Sequence, residues 1–289
     1  MKGKNLSMRI LVSNDDGIYS EGIWILARQL SRIAEVTIVA PDREQSAVGT
    51  AVTLRKPLRV QNIAPLVPGI KAYSVEGTPS DSVIVGLGKI VTDKVDLVIS
   101  GINQGSNLGE DVLISGTVGA AMAGYLRGFP AIAVSCDSWS TGSRDNHRSC
   151  PDLPELNHPR LNEIGLFIAL LAKRIHSSAL PGNIFLNVNM PEIPLAKAKE
   201  IRITRLAHRS HVNTVEEGHD GRRTYYMLIR QSVNHQVDEK TDIRAVNQGA
   251  ISITPLHLFL NDRVPLAILN RLISGLLEEF QNARLVGIQ

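Results

Sequence analysis

The feature that most constrains this chain is an alternation, over its first half, of short apolar runs with segments whose apolar residues repeat at helical spacing. The apolar runs are rich in Val, Ile and Ala and end in turn residues, which is typical of buried strands. The pattern predicts an α/β fold with a doubly wound, mostly parallel sheet covered by helices on both faces. Strands are predicted at 8–14, 35–41, 71–75, 95–100 and 131–136.

The segments between these strands contain the predicted helices. Ser20 suits an N-cap for the first helix, and Ser80 for the second. Aromatic residues make up only 4% of the chain, so aliphatic side chains are expected to fill the core between helices and sheet. Helices are predicted at 20–33, 80–88, 116–128 and 161–175, with a last core strand at 184–189.

After Pro194 the alternation gives way to longer extended segments separated by polar turns. Residues 195–262 are interpreted as a hairpin-like C-terminal arm of extended β structure, followed by a terminal helix. We therefore predict a core over 1–194 and an arm with its helix over 195–289. Because an exposed arm has unpaired strand edges, it is expected to pack on a second subunit.

Charge and composition exclude several classes of protein. The net charge of +3 is too small to indicate nucleic acid or an acidic membrane as a partner. The segment 112–126 is too short and too rich in Ser, Thr and Gly to span a bilayer, and no secretory signal is visible. The two cysteines, Cys136 and Cys150, do not form a disulfide framework. A cytoplasmic protein is predicted.

Adjacent carboxylates follow the first predicted strand, at Asp15 and Asp16. In an open parallel sheet, ligands bind beyond the carboxyl ends of the strands. Two neighbouring carboxylates repel each other, and a divalent cation would offset that repulsion. The alternative is that one Asp caps the next helix while the other is solvated. The motif alone does not decide between the two.

Two further loops follow predicted strands or precede a helix. The segment 100–107 is rich in Gly and side-chain amides, which favours a binding loop over an ordinary turn. The segment 115–119 begins an Ala-rich helix, and the N–H groups there suit a phosphate. A plain Ser or Thr N-cap is the alternative, and it is favoured when this segment is taken alone.

Other motifs argue against competing chemistries. The chain has no GxGxxG after its first strand, no Walker Gly-Lys-Ser/Thr and no GxSxG elbow, so nicotinamide, triphosphate and serine-hydrolase sites are not supported. His208 and His211 are interpreted as ordinary histidines rather than a metal pair. Cys136 is interpreted as a small buried residue rather than a nucleophile.

Six motifs, taken in their order along the chain, resemble the SurE family, the survival protein E nucleotidases. The resemblance runs from about Arg9 to Leu256 and departs from the family pattern at 137–159, which is longer and more polar, and at 207–219, which is rich in histidine. The motifs are RILVSNDDGIYSEGI, PDREQSAVG, GTPSDSV, SGINQGSNLG, SGTVGAAMAG and TDIRAVNQGAISITPL.

The resemblance implies a metal-dependent phosphatase acting on nucleoside 5′- and 3′-monophosphates, with an exopolyphosphatase activity in some members. It also implies a Rossmann-like core and an arm exchanged between subunits of a homodimer or homotetramer. The metal ligands implied by the motifs are Asp15, Asp16, Ser46 and Asn103. The phosphate-binding residues implied by the motifs are Asn107, Ser115, Gly116 and Thr117.

The implied ligands are all hard oxygen donors, which favour one divalent cation per subunit, Mg²⁺ or Mn²⁺, over zinc. Asp15 and Asp16 are the catalytic candidates, with Asp16 the first choice to orient or deprotonate an attacking water. Asp15 in that role, and direct carboxylate attack to give an aspartyl phosphate, stay open.

Two non-enzymatic functions are the alternatives to a phosphatase. A Mg²⁺-binding phospho-receiver switch also begins with an acidic pair, but it needs an Asp after the third strand, where this chain has 76–79, Glu-Gly-Thr-Pro. A nucleotide-binding subunit that has lost catalysis is the other alternative, and the intact ligand set argues against it.

Overall fold

The computed structural model describes residues 8–136, 156–178, 184–208, 212–230 and 238–257. The strands are Arg9–Ser13 (β1), Glu35–Pro41 (β2), Val60–Ile63 (β3), Lys71–Val75 (β4), Leu97–Gln104 (β5), Ala131–Cys136 (β6), Phe185–Met190 (β7), Ile201–Ile203 (β8), Val212–His219 (β9), Thr224–Arg230 (β10) and Ile251–Pro255 (β11). The α-helices are Glu21–Leu30 (α1), Pro79–Val85 (α2), Gly116–Tyr125 (α3), Pro159–Ser177 (α4) and Asp242–Asn247 (α5).

Nine of these strands form one sheet in the order β3-β4-β2-β1-β5-β6-β7-β11-β8. The pairs from β4 through β7 are parallel. Strand β3 is antiparallel to β4, and β11 is antiparallel to β7. The strand order turns back at β1, as in a doubly wound sheet. The predicted α/β fold with a mostly parallel sheet is confirmed.

Buried side chains on the two faces of the sheet form two separate hydrophobic clusters. Because successive strand residues point to opposite faces, Ile10 and Val12 enter the cluster that contains Trp24 of α1. Leu11 enters the other cluster, with Val118 of α3. Helices α1 and α4 thus cover one face of the sheet, and α2 and α3 cover the other.

Small residues let α3 approach the sheet closely. A Cβ added to Gly124 would lie 2.8 Å from Cβ of Val98, and one added to Gly119 would overlap the carbonyl oxygen of Gly49. Only glycine leaves room at either position. This close packing holds the N-terminus of α3 at the carboxyl edge of the sheet.

The N-cap predicted for α2 is wrong. Thr78, not Ser80, caps the helix: its hydroxyl accepts from Asp81 N at 3.1 Å, and the Asp81 carboxylate accepts from Thr78 N at 2.9 Å. This is a capping box with Pro79 in the first turn, a position that proline favours. Ser80 lies buried inside the first turn.

The chain beyond position 194 differs in part from the predicted arm. Strands β8 and β11 join the central sheet, and α5 lies in a segment predicted to be extended. Its six residues are too few to show a helical repeat. The arm corresponds to the hairpin β9–β10, a separate two-stranded antiparallel sheet. The predicted terminal helix lies outside the described residues, as does Cys150.

Within the ranges that the structure describes, no helix has the length and apolar character needed to cross a membrane.

Candidate active site

The two candidate carboxylates follow the end of β1, beside the last residues of β5. These strands are parallel, with Ser13 opposite Ser100. Asp16 comes three residues after the end of β1, and its Oδ2 accepts a hydrogen bond from the backbone N–H of Gln104 at 3.3 Å. Asp16 therefore lies beside the segment that carries Asn103.

Asp15 is packed against the first turn of α3. The hydroxyl of Thr117 donates a hydrogen bond to its Oδ1. A Cβ added to Gly116 would lie 2.8 Å from Cβ of Asp15 and 3.0 Å from its Oδ2. The structure thus brings together one candidate metal ligand and two candidate phosphate-binding residues.

Burial changes the ionisation of Asp15, which is only 5% exposed. Loss of solvent raises the pKa of this carboxyl to about 6, against the opposing hydrogen bond from Thr117. The negative charge of Glu44 raises the pKa further. A nearby positive charge would favour the ionised form of Asp15.

The loop after β2 contacts the backbone of Asp15. The backbone N–H of Gln45 donates to the carbonyl oxygen of Asp15 at 2.7 Å. Ser46 is next in the chain, and its hydroxyl donates to Oε1 of Glu44 at 2.6 Å. At Gly17, with φ of +92°, a Cβ would lie 3.0 Å from the carbonyl carbon of Arg43. Glycine therefore allows the two loops to meet.

Asn103 is oriented by its own loop. Its Nδ2 donates to the carbonyl oxygen of Gly105 at 2.6 Å. The N–H of Gly105 in turn donates to the carbonyl oxygen of Cys136 at 2.8 Å. Because the amide nitrogen is the donor, Oδ1 is the atom of Asn103 that would coordinate a cation.

The N-terminus of α3 fits both interpretations of its sequence. Ser115 is the N-cap, and its Oγ accepts from the N–H of Val118 at 3.1 Å. Helix geometry leaves the first N–H groups of a helix without partners inside that helix, and anions bind at such positions. Capping by Ser115 is therefore compatible with a phosphate held by the turn containing Gly116 and Thr117.

Asn107 is buried, with bonds to neighbouring strands. Its backbone N–H donates to Oδ1 of Asn189 at 2.9 Å. Its Nδ2 donates to Oγ of Ser135 at 2.8 Å. These contacts anchor Asn107 on β6 and β7, while the predicted phosphate turn lies at the start of α3.

Several residues that shape the site were missed by the sequence analysis. Asp81 accepts from the N–H of Thr53 at 2.9 Å and so holds the loop that follows Ser46. Asp242 accepts from the N–H of Gly109 at 2.8 Å and of Ala207 at 3.0 Å. Both lie in motifs that resemble the SurE family, but no role was predicted for either residue. The asparagines of β7 carried a signal too, since asparagine is rare inside buried strands.

The remaining residues singled out from the sequence are two histidines and a cysteine. His208 is exposed, with Nδ1 3.9 Å from Oε1 of Glu110, and His211 lies outside the described residues. Cys136 is buried at the end of β6. Among the residues with a described placement, no group of three His, Cys, Asp or Glu side chains could hold a metal ion. A cation at this site would therefore depend on hydroxyl and amide oxygens as well as carboxylates.

Comparisons with known proteins agree with this architecture. The family model described as survival protein SurE matches residues 10–213. A protein named 5′-nucleotidase SurE from Dehalococcoides mccartyi is 52% identical, over 93% of this chain and 96% of that protein. One of the same name from Geotalea uraniireducens is 40% identical, over 91% of this chain and 98% of that protein.

A solved structure is similar as well. The crystal structure of the SurE protein from Aquifex aeolicus superposes with a TM-score of 0.73 and 33% sequence identity, covering 91% of this chain and 99% of that one. The family model spans well over half of the chain, and the relatives align along nearly all of it. The chain is therefore a member of the SurE family.

Proposed function

We propose that the chain is a cytoplasmic, divalent-cation-dependent nucleotidase that hydrolyses nucleoside 5′- and 3′-monophosphates to a nucleoside and phosphate. The observation that carries the proposal is the buried Asp15 carboxylate, bonded to Thr117 in the first turn of α3, with Asp16 beside it at the end of β1. Carboxylates and a helix N-terminus meeting at one sheet edge suit phosphate chemistry. The name 5′-nucleotidase given to the relatives supports the same activity.

The residues present fit a divalent cation. Asp15, Asp16, Ser46 and Asn103 would hold it, one per subunit. Burial and the negative charge of Glu44 both disfavour the ionised form of Asp15, so a bound cation would stabilise that form. The oxygen donors suit Mg²⁺ or Mn²⁺. When bound, such a cation supplies charge that stabilises the phosphate oxygens in the transition state.

The other groups bind the substrate and move a proton. Ser115, Gly116 and Thr117 would hold phosphate oxygens at the start of α3, with Asn107 nearby on the loop after β5. Asp16 orients the attacking water and takes its proton, because it is only partly buried, whereas Asp15 is committed to Thr117. Attack at phosphorus in line with the ribose oxygen breaks the bond between them, and the proton taken up by Asp16, or one from solvent, converts the leaving ribose oxygen to the hydroxyl of the nucleoside.

Phosphate release tests the proposed activity. The enzyme should liberate phosphate from AMP or p-nitrophenyl phosphate with Mn²⁺, and EDTA should abolish the reaction. A panel of nucleoside monophosphates and short polyphosphate defines the substrate range and tests for exopolyphosphatase activity. A stable phosphoprotein without turnover would favour a phospho-receiver switch, and nucleotide binding without hydrolysis would favour a non-catalytic subunit.

Single-turnover trapping in ¹⁸O-water distinguishes the two chemical routes. With direct water attack, a single turnover in ¹⁸O-water places the label in the released phosphate and leaves the protein unlabelled. With an aspartyl phosphate, acid quenching traps a phosphoenzyme. Water that then attacks its phosphorus also places the label in the released phosphate, so the trapped intermediate is the deciding observation. Trapping such an intermediate would refute direct attack by water.

We further propose that the hairpin β9–β10 packs on a second copy of the chain in a homodimer or homotetramer. Large apolar side chains are exposed on both of its faces, with Tyr226 and Leu228 on one face and Tyr225 and Met227 on the other. A two-stranded hairpin is marginally stable alone, and an exposed apolar patch favours association. Light scattering should show a dimer or tetramer.

The hairpin proposal has a matched pair of variants. Replacing Met227 and Leu228 together by Glu should shift the molar mass toward the monomer. Leu170→Glu, at an exposed position of α4, is the control and should leave the mass unchanged. A monomeric wild-type protein would contradict this proposal without affecting the proposed activity.

A further inference from the structure

Strand β7 carries two asparagines in the interior of the protein. Asn187 and Asn189 are both fully buried, on the same face of the sheet as Phe185, which belongs to the cluster under α3. Burying an amide is costly unless it is hydrogen-bonded. A buried strand more often carries aliphatic side chains, so these amides need another explanation.

The hydrogen bonds of both asparagines converge on a single loop residue. Nδ2 of Asn187 donates to the carbonyl oxygen of Asn107 at 2.8 Å, and Nδ2 of Asn189 donates to the same oxygen at 3.0 Å. Oδ1 of Asn189 accepts from the N–H of Asn107 at 2.9 Å. Asn189 thus binds both backbone groups of Asn107, as a paired strand would.

Asn107 is also held through its side chain, which donates to Ser135 on β6 at 2.8 Å. The loop is therefore bonded to two strands at one point. Further along, the N–H of Gly109 donates to Asp242 at 2.8 Å. Between these contacts the chain has little freedom to shift.

The same loop begins with a candidate cation ligand. The pairing of β5 with β6 is irregular between Ser100 and Asn103, so the regular strand ladder does not set the position of Asn103 by itself. Its Nδ2 is tied to the carbonyl of Gly105. Two residues after Gly105 comes Asn107, the point at which the β7 amides fix the chain.

We propose that Asn187 and Asn189 are positioning residues for the cation site: by holding the backbone of Asn107, they set the place of the loop that carries Asn103. The inference rests on the proposed function, because it concerns the same site. Neither asparagine touches the substrate or the cation. Changing groups that orient metal ligands costs about 10- to 100-fold in metal affinity or activity.

Mn²⁺ binding to the purified protein, measured by calorimetry without substrate, is the main test. Asn187→Ala and Asn189→Ala should each weaken Mn²⁺ binding by about tenfold or more. At a Mn²⁺ concentration that fully activates the wild type, the two variants should hydrolyse substrate more slowly. Raising the Mn²⁺ concentration should restore a large part of their kcat. A loss of general stability would not be rescued by added metal in this way.

A second variant tests whether the alanine variants bind Mn²⁺ weakly only because they unfold. Asn189→Asp keeps the size of the side chain and an acceptor for the N–H of Asn107, but its carboxylate cannot donate to the Asn107 carbonyl. It should show the same weakened Mn²⁺ binding at alkaline pH. The control is Asn162→Ala on α4, which removes bonds from Arg28 at 2.6 Å and Gln29 at 2.8 Å and should leave Mn²⁺ affinity unchanged.

The outcomes separate this inference from the function it rests on. If the folded Asn187 and Asn189 variants bind Mn²⁺ with wild-type affinity, the inference is overturned and the proposed nucleotidase activity is unaffected. An equal loss of Mn²⁺ affinity in Asn162→Ala, or unfolding of every β7 variant, would give the two asparagines a purely structural role. Either result would also overturn the inference. A wild-type protein that neither binds Mn²⁺ nor releases phosphate would overturn the proposed function itself.

Discussion

Thr117 donates its hydroxyl hydrogen to the carboxylate of Asp15, joining two residues 102 positions apart in the chain. The bond connects the end of β1 to the first turn of α3. A candidate cation ligand and a candidate phosphate cradle are thereby held in contact. Gly116 makes the contact possible, because any side chain there would collide with Asp15.

Removing either candidate carboxylate tests the site directly. Asp16→Asn should lower kcat by about 10²- to 10⁴-fold, the usual contribution of a general base. Asp15→Asn should abolish metal-dependent hydrolysis. Both proteins should keep the wild-type circular dichroism spectrum, since asparagine has the same shape as aspartate. Asp93→Asn, at an exposed position, is the control, and full activity in both site variants would show that the site is elsewhere.

The raised pKa of Asp15 predicts how stability depends on pH in the metal-free protein. Burial raises the pKa from 3.8 to about 6, so the folded state binds this proton more tightly than the unfolded state does. The free energy of unfolding should therefore decrease as pH rises from about 4 through about 6, by about 3 kcal/mol. Above that range the contribution of this group is constant.

Urea unfolding in EDTA at a series of pH values measures this effect. The pKa of Asp242 is also raised by burial and contributes in the same direction, so the quantity to compare is the difference between wild type and Asp15→Asn. The variant should lose less stability between pH 4 and pH 6 and be the more stable protein at neutral pH. Parallel profiles for the two proteins would contradict the raised pKa of Asp15.

Asp242 should contribute strongly to folding stability. Its carboxylate accepts from the backbone N–H groups of Gly109, Ala207 and Ile243. In Asp242→Ala these buried donors lose their acceptor, at a cost of about 1–3 kcal/mol for each unsatisfied group, partly relieved by relaxation. We expect a total loss of about 3 kcal/mol in urea unfolding.

The matched control for Asp242 is Asp238→Ala. Asp238 is exposed and pairs with Arg205 at the surface, and such pairs contribute less than about 1 kcal/mol. If the two alanine variants lose similar amounts of unfolding free energy, the buried hydrogen bonds of Asp242 stabilise the fold no more than a surface ion pair does.

A single methyl group at Gly119 should disturb α3. In Gly119→Ala the new Cβ would overlap the carbonyl of Gly49, so the helix or the loop at 49 must move. We expect a loss of about 1–3 kcal/mol together with weaker binding of inorganic phosphate. Gly88→Ala, where an added Cβ meets nothing within 4 Å, should change neither quantity. Unchanged melting of Gly119→Ala would show that α3 has more room than the structure indicates.

Long buried elements were predicted well from the sequence. The predicted bounds of β2 and β6 agree with the observed strands at every residue, because a parallel strand buried on both faces appears as a continuous apolar run. The bounds of β4 agree as well, although Lys71 is exposed and Tyr73 is only half-buried. Strand β3 and helix α5 were missed for the opposite reason. Strand β3 is an exposed edge strand, and α5 has fewer than two turns, so neither shows a repeat of apolar residues in the sequence.

The candidate site was predicted only in outline. Ends of strands and motif resemblance were enough to name Asp15, Asp16 and the turn at Ser115, and the roles of these residues stay predictions. The contacts of the β7 asparagines with Asn107 were not foreseen. Each of these hydrogen bonds spans about eighty positions, and nothing local in the sequence marks its partner.

The sequence by itself determined the main layers of this protein: which of the long apolar segments are strands and which are helices. That information is local, since it lies in the spacing of apolar residues along a few turns or strand repeats. Only the tertiary structure decided which loops meet and which buried amides hold them. Those contacts depend on strand order and register, so residues far apart in the chain become neighbours only when the sheet is assembled.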